Sequence, residues 1–167
     1  MEFALAQSCN DYFCELGYRL CFDGAGGLDF NLGLSRIQMY AELMGISTPT
    51  GIQIPETTPH VTDYSPVASA IGQGTNAYTT LNLARYTSTL ANSGTVYNSS
   101  IISKIENKIT GETTVYEPVV DHIVEFAPET WEAVETGMNE VLNTAYAPVK
   151  AGIPGTCYAK SGTADEN

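Results

Sequence analysis

The hydrophobic and polar positions at the start of the chain predict two helices joined by an exposed turn. Leu5, Phe13, Leu16 and Leu20 follow one another at helical spacings, and the polar triplet Ser8-Cys9-Asn10 interrupts them. We therefore expect the end of a helix before the triplet, a short turn, and a second helix from about Asp11.

Three later segments combine a helical apolar period with start and stop signals. The first has Asp29 or Asn31 as its cap and Gly45 as its stop, and the second begins at Thr79 or Thr80 and stops at Gly94. Their inward positions are Leu34, Ile37, Tyr40, Ala41 and Met44 in the first, and Leu83, Ala84, Thr87, Leu90 and Ala91 in the second. The third starts at Pro128, and its apolar stripe is Trp131, Val134, Met138, Val141 and Leu142.

The remaining segments have no helical period. Residues 46–76 are rich in Thr, Pro, Gly and Ser, which predicts a long irregular surface segment. β-forming residues from Ile101 to Tyr116 flank Thr110-Gly111 and predict a hairpin. After a loop over residues 148–155, the segment from Cys157 to Ala164 is typical of a strand.

Charge limits the classes of partner. The 167 residues contain 7 Lys+Arg against 19 Asp+Glu, a formal net charge of −12. Because nucleic-acid binding depends on clustered cations, we predict no nucleic-acid partner, and an anionic membrane surface is disfavoured for the same reason. No apolar run reaches the roughly 20 residues that span a bilayer, and no signal peptide is visible at the start.

The cysteines and histidines form no metal-binding pattern. Cys9, Cys14, Cys21 and Cys157 allow three complete pairings, among which the sequence cannot choose, and because free cysteines are usually buried we interpret them as small buried thiols in the reduced state. His60 and His122 are isolated, without a carboxylate at ligand spacing, and are interpreted as surface or loop residues. We predict no metal and no cofactor.

Two short motifs carry candidate chemistry: Ser8-Cys9-Asn10 near the start and Lys160-Ser161-Gly162-Thr163 near the end. Alone, each is weak, since such strings arise by chance. Together they match, in order, the second and third elements of the S-x-x-K, S-x-N, K-[ST]-G signature of serine β-lactamases and penicillin-binding proteins.

The chain resembles the penicillin-binding transpeptidase family, specifically its class B, monofunctional kind, over essentially its whole length. Further stretches that carry the resemblance are Ala4-Leu5, Pro49-Thr50-Gly51-Ile52, Ile54-Pro55-Glu56, Ile71-Gly72-Gln73-Gly74, Leu83-Ala84-Arg85-Tyr86, Leu90-Ala91-Asn92-Ser93-Gly94 and Ala164 after the last motif. The resemblance implies an α+β, mostly helical structure: part of the β-lactamase/transpeptidase-like fold, with a helical subdomain, a hairpin and one strand of the antiparallel sheet. Residues 1–167 would be a partial transpeptidase domain, in which Thr50-Gly51 and residues 71–75 could border the cleft.

The resemblance also implies a function, namely cross-linking of peptidoglycan stem peptides through an acyl-serine intermediate. Ser8, Asn10 and Lys160 would be catalytic, and Ser161, Gly162 and Thr163 would bind the substrate carboxylate or its equivalent in a β-lactam. Ser8 would relay a proton, and the backbone N–H of Thr163 would form half of the oxyanion hole. Such a protein works at the extracytoplasmic face of the bacterial membrane, anchored by a segment not present here.

The first element of the signature is absent. The lysines at 104, 108, 150 and 160 are preceded three residues earlier by Ile101, Ile105, Ala147 and Cys157, none of them serine. We therefore expect the chain to begin after the nucleophile and, alone, to be inactive. The final strand would lack its sheet neighbours, so it would be disordered, packed differently against the helices, or paired with a second chain in self-association.

Three other interpretations stay open at this stage. One is a non-catalytic scaffold or binding module derived from the same fold. Another is a fragment of a serine β-lactamase-like hydrolase, although Glu140-Val141-Leu142-Asn143 lacks the spacing of the deacylating E-x-x-L-N loop. The last is an acidic domain with accidental motifs, which predicts that Ser8 and Lys160 lie far apart.

Overall fold

A computed structural model describes residues 1–144 and 146–163. In chain order the elements are α1 Glu2–Ala6, α2 Asn10–Arg19, α3 Phe30–Leu43, α4 Pro66–Ser69, α5 Thr80–Ala91, β1 Thr95–Tyr97, β2 Lys104–Glu106, β3 Thr113–Val115, β4 Val120–Ile123, α6 Pro128–Thr144 and α7 Ala147–Lys150. The two-helix start, the three later helices and the hairpin are thus confirmed. No helix in this part of the chain is both long and apolar enough to cross a membrane.

Side-chain caps fix where two of the helices begin. The Asp29 carboxylate accepts a hydrogen bond from the backbone N–H of Asn31 at 2.8 Å, so Asp29 is the cap of α3. Thr79 and Asn82 form a capping box at the start of α5, each side chain accepting from the other's backbone N–H. Both starts agree with the predicted cap positions.

The strands form two small antiparallel sheets rather than one. Strand β1 pairs with β4, with an irregularity between Val96 and Tyr97, and β2 pairs with β3 as the predicted hairpin. The β1–β4 sheet lies against α5. The buried residues of the hydrophobic core are Met44, Val96, Val124 and Trp131, of which Val96 belongs to β1 and Val124 directly follows β4. The tilted rings of Phe126 and Trp131 lie 5.2 Å apart between centroids, and Trp131 of the predicted α6 stripe is buried in this core.

The predicted inward face of α5 is wrong at four of its five positions, and only Leu90 is partly buried and packs on the core. Leu83, Ala84, Thr87 and Ala91 are exposed, whereas Asn82, Arg85 and Thr89 are buried. The polar residues are buried because of what α5 packs against. Its neighbours are β1 and loop backbone, whose carbonyl groups need hydrogen-bond donors. A polar helix face meets that need better than an apolar one. The α3 face is right only in part, because Tyr40 is exposed while Met44 is buried.

The interpretation of residues 46–76 as a surface segment is also wrong in part. Thr50 and Thr62 are fully buried, and α4 lies within the segment. Each buried threonine has polar partners: the Glu56 carboxylate accepts from the N–H and hydroxyl of Thr50, and the Thr62 hydroxyl accepts from Ser69. Local hydrogen bonds therefore replace regular secondary structure in a segment that packs inward.

The predicted strand from Cys157 is wrong within the described residues: residues 157–163 form no strand, and Ala164 lies outside them. Instead, the segment packs against α6. Asn139 donates to the carbonyl of Cys157 at 2.9 Å, and the N–H of Ala159 donates to Met138 at 3.2 Å. Of the outcomes expected for this segment, different packing against the helices is therefore the one observed, and its backbone groups form hydrogen bonds with a helix.

The four thiols are free, but only Cys21 is buried, where its Sγ donates to the Gly17 carbonyl.

The interpretation of both histidines as isolated is wrong. His60 lies 3.7 Å from the Asp63 carboxylate, and His122 lies 2.8 Å from that of Asp121. Over residues 1–144 and 146–163 no three His, Cys, Asp or Glu side chains are grouped so that they could hold a metal ion.

Helix α1 packs against α6 at Gly137, where a side chain would not fit. A Cβ there would lie 2.9 Å from Leu5 Cδ2 and 3.0 Å from the Glu2 carbonyl oxygen. We expect Gly137→Ala to lower the free energy of unfolding by about 1–2 kcal/mol, because overpacking outweighs the better helix propensity of alanine. Chemical denaturation measures this. The control is Gly152→Ala, whose Cβ would have only an ordinary 3.7 Å contact. Equal stability of the two variants would contradict the prediction.

Candidate active site

Ser8 lies in the turn between α1 and α2 with a left-handed backbone, φ = 51°. The N–H of Ser8 donates to Leu5 and the N–H of Cys9 donates to Ala4, at 3.2 and 2.9 Å. These two bonds are the Schellman pattern that ends a helix, with serine where glycine is usual. A non-glycine residue pays roughly 1 kcal/mol for this conformation. The turn therefore has a serine hydroxyl at this position although glycine would adopt the same backbone conformation with less strain.

Lys160 reaches the same place from the other end of the chain. Its position depends on the segment from Cys157 to Ala159, which is hydrogen-bonded to Asn139 and Met138 of α6. Tyr158 adds a third contact, its hydroxyl lying 3.3 Å from a Glu135 carboxylate oxygen. Because α1 and this segment both pack on α6, the helix determines how close Ser8 and Lys160 come.

The two motifs meet in a direct hydrogen bond. The Nζ of Lys160 donates to the Ser8 Oγ at 2.6 Å and to the backbone carbonyl of Ser161 at 2.7 Å. An ammonium group has only donors, so the Ser8 oxygen is the acceptor and its own O–H remains available to a third group. The Ser8 hydroxyl can therefore give one proton while it receives another from Lys160. The accidental-motif interpretation, which requires a wide separation, is wrong.

A cavity of about 280 Å³ opens beside this bond. Its lining residues are Leu5, Ser8, Asn10, Phe13, Ala70, Ile71, Lys160 and Ser161. Both polar and apolar side chains line it, as is usual for small-molecule sites. A second cavity, of about 300 Å³ and mostly apolar, also reaches Lys160 and extends to Trp131 in the core.

Four of the six predicted site residues line the first cavity: Ser8, Asn10, Lys160 and Ser161. Gly162 and Thr163 follow directly in the chain, are exposed, and do not line it. Of the segments considered as cleft borders, Ile71 lines the cavity, while Thr50 is fully buried. Leu5, Phe13 and Ala70 were missed as cavity residues, because their apolar side chains carry no sequence signal that distinguishes a cavity wall from core.

A serine and a lysine from widely separated motifs, joined beside a cavity on an α+β fold, are typical of serine acyl-transfer enzymes. The chain belongs to the penicillin binding protein transpeptidase domain family, whose model matches residues 1–167. The resemblance found in the sequence is therefore confirmed.

Individual relatives agree with the family. The chain is 28% identical over 185 aligned residues to the peptidoglycan D,D-transpeptidase MrdA of Haemophilus influenzae, covering 96% of this chain and 26% of that protein. Penicillin-binding protein 2B of Streptococcus pneumoniae strain R6 has a similar structure, with a TM-score of 0.83, 23% identity, and coverage of 98% of this chain and 30% of that one.

A third relative is penicillin-binding protein A of Mycobacterium tuberculosis, solved as a ceftriaxone acyl-enzyme complex. It matches with a TM-score of 0.77 and 22% identity over 98% of this chain and 35% of that one. The expected α+β fold is thus confirmed. The chain spans about a quarter to a third of the length of these relatives.

Proposed function

We propose that this chain is part of a penicillin-binding D,D-transpeptidase that cross-links peptidoglycan stem peptides through an acyl-serine intermediate. The observation that carries the proposal is the 2.6 Å hydrogen bond between Lys160 and Ser8, two residues 152 positions apart in the chain. Membership of the transpeptidase family supports it. Residues 1–167 would then form part of the transpeptidase domain, at the extracytoplasmic face of the bacterial membrane.

Ser8 and Lys160 would act together as a proton relay. When a nucleophilic serine attacks the penultimate D-Ala carbonyl, its O–H proton passes to the general-base lysine of the S-x-x-K segment, a C–O bond forms, and the C–N bond to the terminal D-Ala breaks. The leaving nitrogen needs a proton, which the Ser8 O–H can supply while the Lys160 ammonium donates one to the Ser8 oxygen. The proton thus moves from Lys160 through Ser8 to the leaving amine.

The neighbouring residues would bind the acyl donor. Asn10 lines the cavity beside Ser8 and would hold the amide of the stem peptide. The hydroxyls of Ser161 and Thr163 would bind its terminal carboxylate, or the corresponding group of a β-lactam, next to the positive charge of Lys160. Gly162 leaves room for a peptide backbone, since nothing lies within 4 Å of the point where a Cβ would be. Thr163 would supply one N–H of the oxyanion hole, a contribution of about 3 kcal/mol in comparable sites.

The attacking serine is the component that this polypeptide lacks. No lysine of the chain has a serine three residues before it, so neither the nucleophile nor its general-base lysine is present. We infer that the 167-residue chain alone forms no acyl-enzyme. The β-lactam and the stem peptide would be partners only of a polypeptide that contains the S-x-x-K segment.

A fluorescent penicillin tests the proposal. The chain alone should remain unlabelled, whereas a polypeptide that carries the matching S-x-x-K segment of a relative before Met1 should be labelled covalently and keep the label. The control replaces the serine of that S-x-x-K segment with alanine, which should abolish labelling.

Each of the other outcomes would contradict part of the proposal. Labelling of the 167-residue chain itself would mean that another group of the chain is nucleophilic. A folded joined polypeptide that takes no label would support the scaffold interpretation. Rapid loss of the label by hydrolysis would indicate a β-lactamase-like enzyme, because a hydrolase must deacylate quickly.

A further inference from the structure

Strand β4 contains a bulge that brings two neighbouring side chains together. His122 pairs with Val96 and Val120 pairs with Tyr97, so Asp121 is the extra residue on the β4 side. In a regular strand Asp121 and His122 would point to opposite faces. Here the Nδ1 of His122 lies 2.8 Å from the Oδ2 of Asp121.

The other ring nitrogen of His122 reaches a different element. Its Nε2 lies 2.8 Å from the carbonyl oxygen of Leu43, the last residue of α3, where the helix dipole is negative. A carbonyl oxygen and an ionised carboxylate only accept hydrogen bonds. A neutral imidazole has a single N–H, so both bonds can form together only when the ring is doubly protonated.

The charges around the ring come from two side chains. Asp121, on the same strand, accepts from both His122 and the guanidinium of Arg85, which belongs to α5. On α3, Glu42 is exposed next to Leu43, and the paired strand β1 contributes Thr95, Val96 and Tyr97, none of them acidic or basic.

These neighbours act in opposite directions on the protonation of His122. The hydrogen bond to Leu43 raises its pKa above the ordinary value of about 6.5, and Asp121 adds to the rise, while partial burial and Arg85 oppose it. The net direction is upward.

We propose that His122 is a pH-sensitive clamp: as an imidazolium it ties the end of α3 to β4, and loss of one proton to solvent breaks one of the two bonds. The end of α3 leads directly into Met44 of the core, so the clamp holds α3 where the chain enters the core. It does not depend on the proposed enzymatic function.

The sign of the pH dependence follows from the direction of the pKa shift. A histidine with a raised pKa in the folded state stabilises the fold fully below the unfolded value of about 6.5. That stabilisation is lost as the pH rises through the pKa of the folded state. Deprotonation therefore loosens the end of α3 on the alkaline side.

The experiment is chemical denaturation of the full chain at a series of pH values from about 5 to 9, which spans histidine titration. The free energy of unfolding should fall more steeply on the alkaline side in the unmodified chain than in His122→Gln. Because the chain has only 2 histidines, His60→Gln is a matched control and should retain the difference. Asp121→Asn should reduce it, since one of the two acceptors loses its charge.

Nuclear magnetic resonance provides a measurement that needs no variant to fold. In the folded chain, the His122 ring should titrate with a midpoint above that of the same residue in the denatured chain. Nitrogen chemical shifts below that midpoint should report two protonated ring nitrogens. Parallel stability profiles for the unmodified chain and a folded His122→Gln variant, or a folded-state midpoint at or below the denatured one, would overturn the proposal.

Discussion

Replacing Lys160 with methionine, in the polypeptide that carries an S-x-x-K segment before Met1, is expected to slow acylation by a fluorescent penicillin about 10²- to 10⁴-fold. Methionine keeps much of the aliphatic length but has no proton to give, so the Ser8 oxygen loses its 2.6 Å donor. Without that donor, Ser8 cannot regain the proton that it passes to the leaving nitrogen. The rate of label incorporation under single-turnover conditions measures the effect.

Lys150→Met is the matched control for Lys160→Met. Lys150 is also near the end of the chain, but it belongs to α7 and donates to the side chain of Asn143 rather than to Ser8. Its substitution should leave the acylation rate within about twofold, because exposed charges away from the site contribute little. If both lysine variants react at the unmodified rate, the proton relay through Ser8 is wrong, even if the chain belongs to a transpeptidase.

Arg85→Met is expected to lower the free energy of unfolding by about 3–5 kcal/mol, because several backbone acceptors lose their donor at once. The side chain of Arg85 is only 3% exposed and pairs with Asp121 at 3.1 Å. It also donates to the backbone carbonyls of Gly45, Pro49 and Tyr97. Methionine fills a similar volume but leaves these acceptors without a donor. Chemical denaturation at neutral pH measures the loss.

Arg19→Met is the control, because it removes an arginine from an ion pair of similar geometry at the surface. The Arg19–Glu15 pair is 2.7 Å long, but its arginine side chain is 73% exposed. Its loss should change stability by about 0.5 kcal/mol or less. Arg85→Lys should be intermediate, since one ammonium group cannot reach acceptors spread around a planar guanidinium. Equal effects at positions 85 and 19 would show that burial does not determine the contribution of Arg85.

Burial of Arg85 also shows where reasoning from the sequence failed. The apolar period of α5 places Leu83 and Ala84 inward, and this would be correct for a helix covering an apolar surface. The part of the surface that Arg85 meets includes the backbone carbonyls of Gly45 and Pro49, which lie 40 and 36 positions earlier in the chain. No local pattern encodes such acceptors, so no local pattern could predict that a charged face is the buried one.

The contact between Asp121 and His122 also could not be predicted from the sequence, although the two residues are neighbours. Asp121 and His122 are adjacent in the sequence, but alternation along a regular strand separates their side chains. The bulge in β4 removes that separation, and it arises from the pairing with β1, more than twenty residues earlier. An Asp-His pair in the sequence therefore indicates a contact only once the register is known.

The sequence alone determined the elements whose causes are local: the helix starts to within two residues, at Asp29 or Asn31 and at Thr79 or Thr80, the apolar stripe of α6, the hairpin around Thr110-Gly111, and the two motifs that indicate the family. Tertiary structure decided what depends on distant neighbours. It packs residues 157–160 on α6 instead of in a sheet, and it brings Lys160 to Ser8. Helix caps and the spacing of apolar residues act within a few positions of the chain, whereas these contacts depend on which surfaces meet after folding.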